Sequence, residues 1–374
     1  MSIRSLVLAV LFAVGCGDSA LPAAVDGGPD LTPPGPDMTH FARPALGTPI
    51  TAPMSEWTWV DFPDSTCNEG TPTGIGVGLT ASKNLLVFLT GGGACWDYDT
   101  CFNLGTAATG PFTATQFTKE ILPATADGSG TLFDRSDEKN PFRDWNLVYI
   151  PYCTGDVHAG DNDAMYTKGG DVKTWRHRGR PNVQAFLARI AATIPEPERA
   201  VLSGSSAGGF GAAFNYDLFR QYFPDGKTYL LDDSGPPLIG DEIPPGFVKE
   251  WYANWRIDKI LGPLCPECQT DLSGLVSALG EKYPGDRAAL LSSLQDKTIG
   301  GYFLKSGPQF QADLYDVATT VIDPLPDFRY FFVPGTTHTM LGDPARFKTT
   351  DGVALQSWIT QMVTDDPAWS SHKP

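Results

Sequence analysis

The chain has 374 residues, 41% hydrophobic and 11% aromatic, enough to bury a large core and too apolar for a disordered protein. Its 43 acidic residues against 27 basic ones give a net charge of −16, which excludes nucleic acid and anionic membrane surfaces as electrostatic partners.

In chain order the first feature is an export signal, with Arg4 at its positive end, an apolar stretch from Leu6 to Val14 and small residues beyond. That stretch is too short to span a bilayer. It ends in Ala13-Val14-Gly15-Cys16, which resembles the lipobox of bacterial lipoproteins, whose cysteine becomes the lipidated first residue; the lipobox prefers leucine where Ala13 stands. Cleavage nearby without lipidation is the alternative. Residues 17–40 are rich in proline, aspartate and glycine and poor in large apolar residues, the composition of a solvated tether. Membrane contact is therefore expected only through a lipid on Cys16, and one folded domain is expected over 41–374.

Within that domain, strands are predicted at Gly76 to Thr80, Asn84 to Leu89, Asn146 to Pro151, Arg199 to Ser203, Thr228 to Asp232, Ala288 to Ser292 and Phe328 to Val333. Several are apolar throughout, as in strands covered on both faces. Helices are predicted at Asn182 to Ile194, Phe210 to Phe219, Leu272 to Tyr283 and Gly352 to Val363. This alternation predicts a mostly parallel central sheet with helices on both faces. Residues 236–285 form an insertion between strands, expected to act as a small cap.

The strand Arg199 to Ser203 runs into Gly204-Ser205-Ser206-Ala207-Gly208 and then a helix, the context that a G-x-S-x-G nucleophile elbow requires, so Ser206 is the expected nucleophile. Its alcohol needs a base, and the chain offers 5 histidines. His40 lies in the tether, His372 in the terminal tail, and His177 between Arg176 and Arg178, whose charges should lower its basicity. Of the remaining two, His338 follows a strand at its carboxyl end and comes after the serine, the chain order of an α/β-hydrolase, so His338 is the expected base. A developing oxyanion needs N–H donors, and Gly91-Gly92-Gly93-Ala94 closes an early strand in the HGGG-like manner. The donors are assigned to Gly93, Ala94 and Ala207.

Taken together, Cys67-Asn68-Glu69-Gly70-Thr71-Pro72, Gly91-Gly92-Gly93-Ala94-Cys95, Ile150-Pro151-Tyr152-Cys153-Thr154-Gly155-Asp156, Gly204 to Gly209 and Asp233-Ser234-Gly235 resemble the pectin acetylesterase and Notum carboxylesterase family. The resemblance implies an α/β-hydrolase fold and cofactor-free serine esterase chemistry on acylated carbohydrate or protein. It departs at Ala94, where the family has tryptophan; Trp96 stands two places on. The resemblance also implies disulfides Cys67–Cys153 and Cys95–Cys101, leaving Cys265 and Cys268 to pair by elimination, and it puts Asp156 and His158 at the rim of the site. With Trp96, and with Trp251 from the insertion, these are the expected substrate contacts. No metal is expected, since the carboxylates of 156–163 lack the ligand spacing of a calcium loop.

For the acid, Asp296 follows the strand Ala288 to Ser292 in a serine-x-x-aspartate turn that resembles the family's acid-bearing turn; Asp232 and Asp233 come one strand early, and Asp313, Asp316 and Asp323 lack the right context. The expected protein is an exported, monomeric serine esterase that removes small acyl groups, acetyl foremost, from an acylated glycan or small ester. A non-catalytic glycan-binding relative and a polyester depolymerase are the alternatives. Polygalacturonate itself should bind poorly, because Arg176, Arg178 and Arg180 are the only dense cations against the net charge.

Overall fold

Strand β3 (Asn84–Leu89) shows how the sequence builds the core. Leu85, Val87 and Leu89 enter one buried cluster while Leu86 and Phe88 enter another on the opposite face, so the strand has no use for a polar position. The computed structural model describes residues 43–244 and 246–374; the predicted export signal, Cys16 and the tether lie outside them.

The other strands are β1 (Trp57–Phe62), β2 (Thr73–Gly78), β4 (Asn146–Ile150), β5 (Asn162–Lys168), β6 (Asp171–His177), β7 (Arg199–Ser205), β8 (Lys227–Asp233), β9 (Arg287–Ser293) and β10 (Phe328–Val333). Eight of them form one sheet in the order β1-β2-β4-β3-β7-β8-β9-β10, and β5 pairs with β6 in a separate hairpin. From β4 to β10 all pairings are parallel, while β1 and β2 run antiparallel at one edge. The predicted mostly parallel sheet is thus present, and it is the sheet of an α/β-hydrolase fold. Sequence reasoning did not find β1, β5 or β6, and it placed the second strand about two residues late.

The helices are α1 (Ala114–Gln116), α2 (Gly179–Thr193), α3 (Ala207–Tyr222), α4 (Phe247–Asn254), α5 (Asp258–Leu261), α6 (Gly274–Lys282), α7 (Lys297–Tyr302), α8 (Gly307–Asp316) and α9 (Leu355–Val363). Phe186 of α2, Phe219 of α3, Leu275 of α6 and Phe310 of α8 pack on one face of the sheet. Trp358 and Met362 of α9 pack on the other. Each such side chain, fully buried, contributes roughly 1.5–3 kcal/mol, which is why the apolar spacing in the sequence predicts these helices. Among the described residues no helix is long and apolar enough to cross a membrane.

Because β3, β7, β8, β9 and β10 are parallel, the residues that follow them gather at one edge of the sheet. Those residues are Gly91, Ser206, Ser234, Asp296 and His338.

Candidate active site

Ser206 is the single residue between β7 and α3, at φ 59° and ψ −123°, a conformation costly for a residue with a side chain. Its N–H donates to the Asp233 carbonyl at 2.7 Å, and its own carbonyl accepts from Gly209 at 2.8 Å. The turn can be this tight only because its neighbours are bare. A Cβ on Gly208 would lie 1.9 Å from the Leu89 carbonyl oxygen, and one on Gly91 would lie 2.8 Å from the Ser206 Cβ.

Asp296 caps α7. One carboxylate oxygen accepts from the N–H groups of Thr298 and Ile299 at 2.8 and 3.1 Å, at the positive end of the helix. The other oxygen meets Nδ1 of His338 at 2.7 Å, with Asp296 buried and the imidazole partly exposed. The acid chosen from the sequence is therefore the carboxylate that the imidazole contacts, and the imidazole is oriented by a group already fixed on its far side.

In front of the elbow lies a narrow pocket, with Ser206, Ala207, Gly93 and Ala94 on its floor. Phe210 and Phe214 of α3 stand one helical turn apart in its wall, joined by Phe247 and Trp251 of α4 and by Trp96, Val157, Ile299, Tyr302 and Phe303. Apart from the floor, the Tyr302 hydroxyl and the indole nitrogens of Trp96 and Trp251, the lining is hydrocarbon. Trp251 stacks on Trp255 at 5.1 Å, and Trp255, fully buried, donates its indole N–H to the Cys95 carbonyl. One tryptophan thus faces the pocket while the other anchors the insertion. Trp96 and Trp251, expected from the sequence as substrate contacts, both line this pocket; the phenylalanines were missed, although Phe210 and Phe214, four residues apart just after the serine, carried the signal.

Two assignments from the sequence are corrected. Ala94 cannot be a free oxyanion donor as it stands, because its N–H already donates to the Thr106 carbonyl at 3.1 Å. The N–H groups of Gly93 and Ala207 have no such partner among the described residues, and Ala207 opens α3, where the helix dipole favours negative charge. Asp156 and His158 do not reach the rim. Both are buried beneath the glycine loop, where a substrate cannot touch them. His158 Nε2 donates to the Thr90 carbonyl at 2.8 Å, and burial pushes its pKa down to about 4, so it works as a neutral donor. Asp156 accepts from Thr154 and from the Gly160 and Gly179 N–H groups, and burial raises its pKa to about 6.

His177 is also weakened as a base, to about pKa 3, but by burial and not by the neighbouring arginines. Of the three arginines in this stretch, Arg178 pairs with Asp161 and Asp163, and Arg180 donates to the Phe214 carbonyl and the Asn215 side chain. The described residues contain a cluster within metal-ligand reach, Cys95, Cys101 and His177, yet the two sulfurs are joined to each other. Disulfides link Cys67 to Cys153, Cys95 to Cys101 and Cys265 to Cys268.

Residues 54–243 match a family model described as pectinacetylesterase. The Xenopus laevis palmitoleoyl-protein carboxylesterase notum2 is 30% identical over 154 residues, 41% of this chain and 29% of that protein. Pectin acetylesterase 11 of Arabidopsis thaliana is 26% identical over 179 residues, 46% of this chain and 42% of that protein. The chain thus spans less than half the length of either relative. The solved structure of the Wnt deacylase Notum from Drosophila shares the fold, with a TM-score of 0.59 at 19% identity over 84% of this chain and 96% of that one. Ser206 and the glycine loop fall inside the family-matched segment, whereas Asp296 and His338 lie beyond it.

Proposed function

This chain belongs to the pectinacetylesterase family, whose model covers just over half of it, and from that premise we propose that it is an exported serine carboxylesterase working through an acyl-enzyme. The observation that carries the reading is the Asp296–His338 contact of 2.7 Å at the same sheet edge as a strained Ser206. Ser206 Oγ attacks the ester carbonyl as His338 takes its proton through Nε2, and Asp296 stabilises the imidazolium. The N–H groups of Gly93 and Ala207 receive the oxyanion. His338 then gives its proton to the leaving alcohol, and a water activated by the same imidazole frees the acid and regenerates the serine.

An acylated glycan or a small ester supplies the alcohol side of the bond. On the acyl side, the narrow apolar pocket beside Ser206 suits a small acyl group, acetyl foremost, and how many further carbons its aromatic wall accepts is what the ester series reads. Export is supported by three disulfides, which persist in oxidising compartments.

The test is hydrolysis of p-nitrophenyl esters from acetate to octanoate beside acetylated glycans. Each added methylene that finds the wall is worth about 0.8 kcal/mol, so kcat/KM should climb roughly fourfold per carbon until the pocket is full. Ser206→Ala should abolish all of it with the fold intact, and an active alanine variant would overturn the reading.

A further inference from the structure

Asp233 ends β8 as a fully buried carboxylate that neither lines the pocket nor bonds the His338 imidazole. It gathers hydrogen bonds from two directions. From the loop after His338, the N–H of Met340 donates at 2.8 Å and that of Leu341 at 3.0 Å, both to Oδ2. From the elbow, the Ser205 hydroxyl donates to the same oxygen at 2.7 Å, and the Ser234 hydroxyl donates to Oδ1 at 3.2 Å. The main-chain carbonyl of Asp233 takes the N–H of Ser206 itself.

Between His338 and the two loop donors stands Thr339 at φ 63°, a left-handed conformation that a β-branched residue resists. Its hydroxyl has no hydrogen-bond partner among the described residues, so its own side chain does nothing to offset that resistance. The bonds directly after it do, and bonds to a carboxylate are about twice as strong as neutral ones.

We propose that Asp233 is a positioning residue whose carboxylate holds Met340 and Leu341, keeps Thr339 in its left-handed turn and so delivers His338 to Asp296 and Ser206. One residue then fixes the nucleophile through its main chain and the base through its side chain. The inference rests on the reading of Ser206, His338 and Asp296 given above.

The test is a set of variants assayed on a p-nitrophenyl ester. Asp233→Ala strands both loop N–H groups and should lower kcat by about 100-fold or more with KM within about threefold; Asp233→Asn, which keeps one accepting oxygen, should cost about tenfold. In a His338→Ala background Asp233→Ala should cost less than about threefold, because residues that act as a unit are not additive. Thr339→Gly removes the backbone resistance and should restore Asp233→Asn by several-fold, up to about tenfold. Loss of the same size with and without His338, no rescue by Thr339→Gly, or near-full activity of Asp233→Ala would each overturn the proposal. Should Asp233→Ala not fold, Asp233→Asn and its Thr339→Gly revertant decide the question. An active Ser206→Ala would instead remove the underlying reading and leave these comparisons without a base to position.

Discussion

The two sides of the cleft are held by different means. On the oxyanion side, the loop from Gly91 to Cys95 is tied covalently by Cys95–Cys101, laterally by the Ala94 N–H on the Thr106 carbonyl, and from below by His158 on the Thr90 carbonyl. On the base side, the stretch from Gly335 to Leu341 has no covalent tie; backbone bonds hold its ends, at the Gly335 and Leu341 carbonyls, and two buried carboxylates, Asp296 and Asp233, hold it between them. A group that must only point N–H donors at a developing charge can be locked permanently. A group that must change charge during turnover is better held by partners that respond to charge.

The largest effect should come from striking the charged side. Asp296→Asn keeps the cap on α7 but leaves the imidazole without its anion, and kcat should fall by about 10⁴-fold while the melting curve changes little. If the variant kept near-full activity, Asp296 would not be the acid and the base side would have to be rebuilt around another carboxylate.

Unlocking the covalent side should cost less in rate and more in stability. The double variant Cys95→Ala/Cys101→Ala opens a short loop, with a loss of about 2 kcal/mol in chemical denaturation. Its kcat should drop roughly tenfold, short of the 10²–10³ that follows deletion of an oxyanion donor. Equal rate losses in this variant and in Asp296→Asn would erase the contrast.

The smallest effect on rate, read only in stability, concerns the buried floor under the oxyanion loop. His177 is held at about pKa 3 against its ordinary 6.5, so between those values the unfolded chain binds the proton that the folded chain refuses. Stability from this residue is intact above pH 6.5 and is lost as pH falls toward 3. His177→Gln should therefore lose less stability on acidification than the parent, by up to about 1.4 kcal/mol per pH unit in that window, read as melting temperature against pH. Parallel curves for the two proteins would show that His177 is not held neutral by burial.

Much of this site was legible because its signals are local. The elbow needs glycines beside a serine between an apolar strand and a helix, and Asp296 sits in the turn that caps the next helix. The freedom of the Ala94 N–H was not legible, because it depends on Thr106 returning twelve residues later to accept it. Asp156 and His158 read as polar and therefore as exposed; only the packing of Gly160 and Gly179 against Asp156 makes them a floor. The hairpin of β5 and β6 escaped because it buries few of its residues, among them Ala164, Tyr166 and Trp175, and otherwise carries mostly polar side chains, with Met165 and Val172 left exposed. The role of Asp233 was hidden for a related reason. Its partners are two backbone N–H groups more than a hundred positions away, and no side-chain pattern announces them.

The nesting of two disulfides has a consequence for biogenesis. Cys95–Cys101 lies inside the 86-residue span closed by Cys67–Cys153, and both cross-links brace the half that carries the glycine loop, whereas Ser206, Asp296 and His338 come from later chain, where the remaining disulfide, Cys265–Cys268, closes only a short loop. A newly made chain short of oxidant would assemble its elbow and its charged pair while the donor loop stayed unset. Esterase turnover would then appear in step with thiol oxidation and not with compaction, so that activity works as a timer for maturation. Produced in a reducing cytosol, the protein should show activity lowered by at least the roughly tenfold loss expected of Cys95→Ala/Cys101→Ala, and it would gain activity on exposure to a disulfide-forming redox buffer.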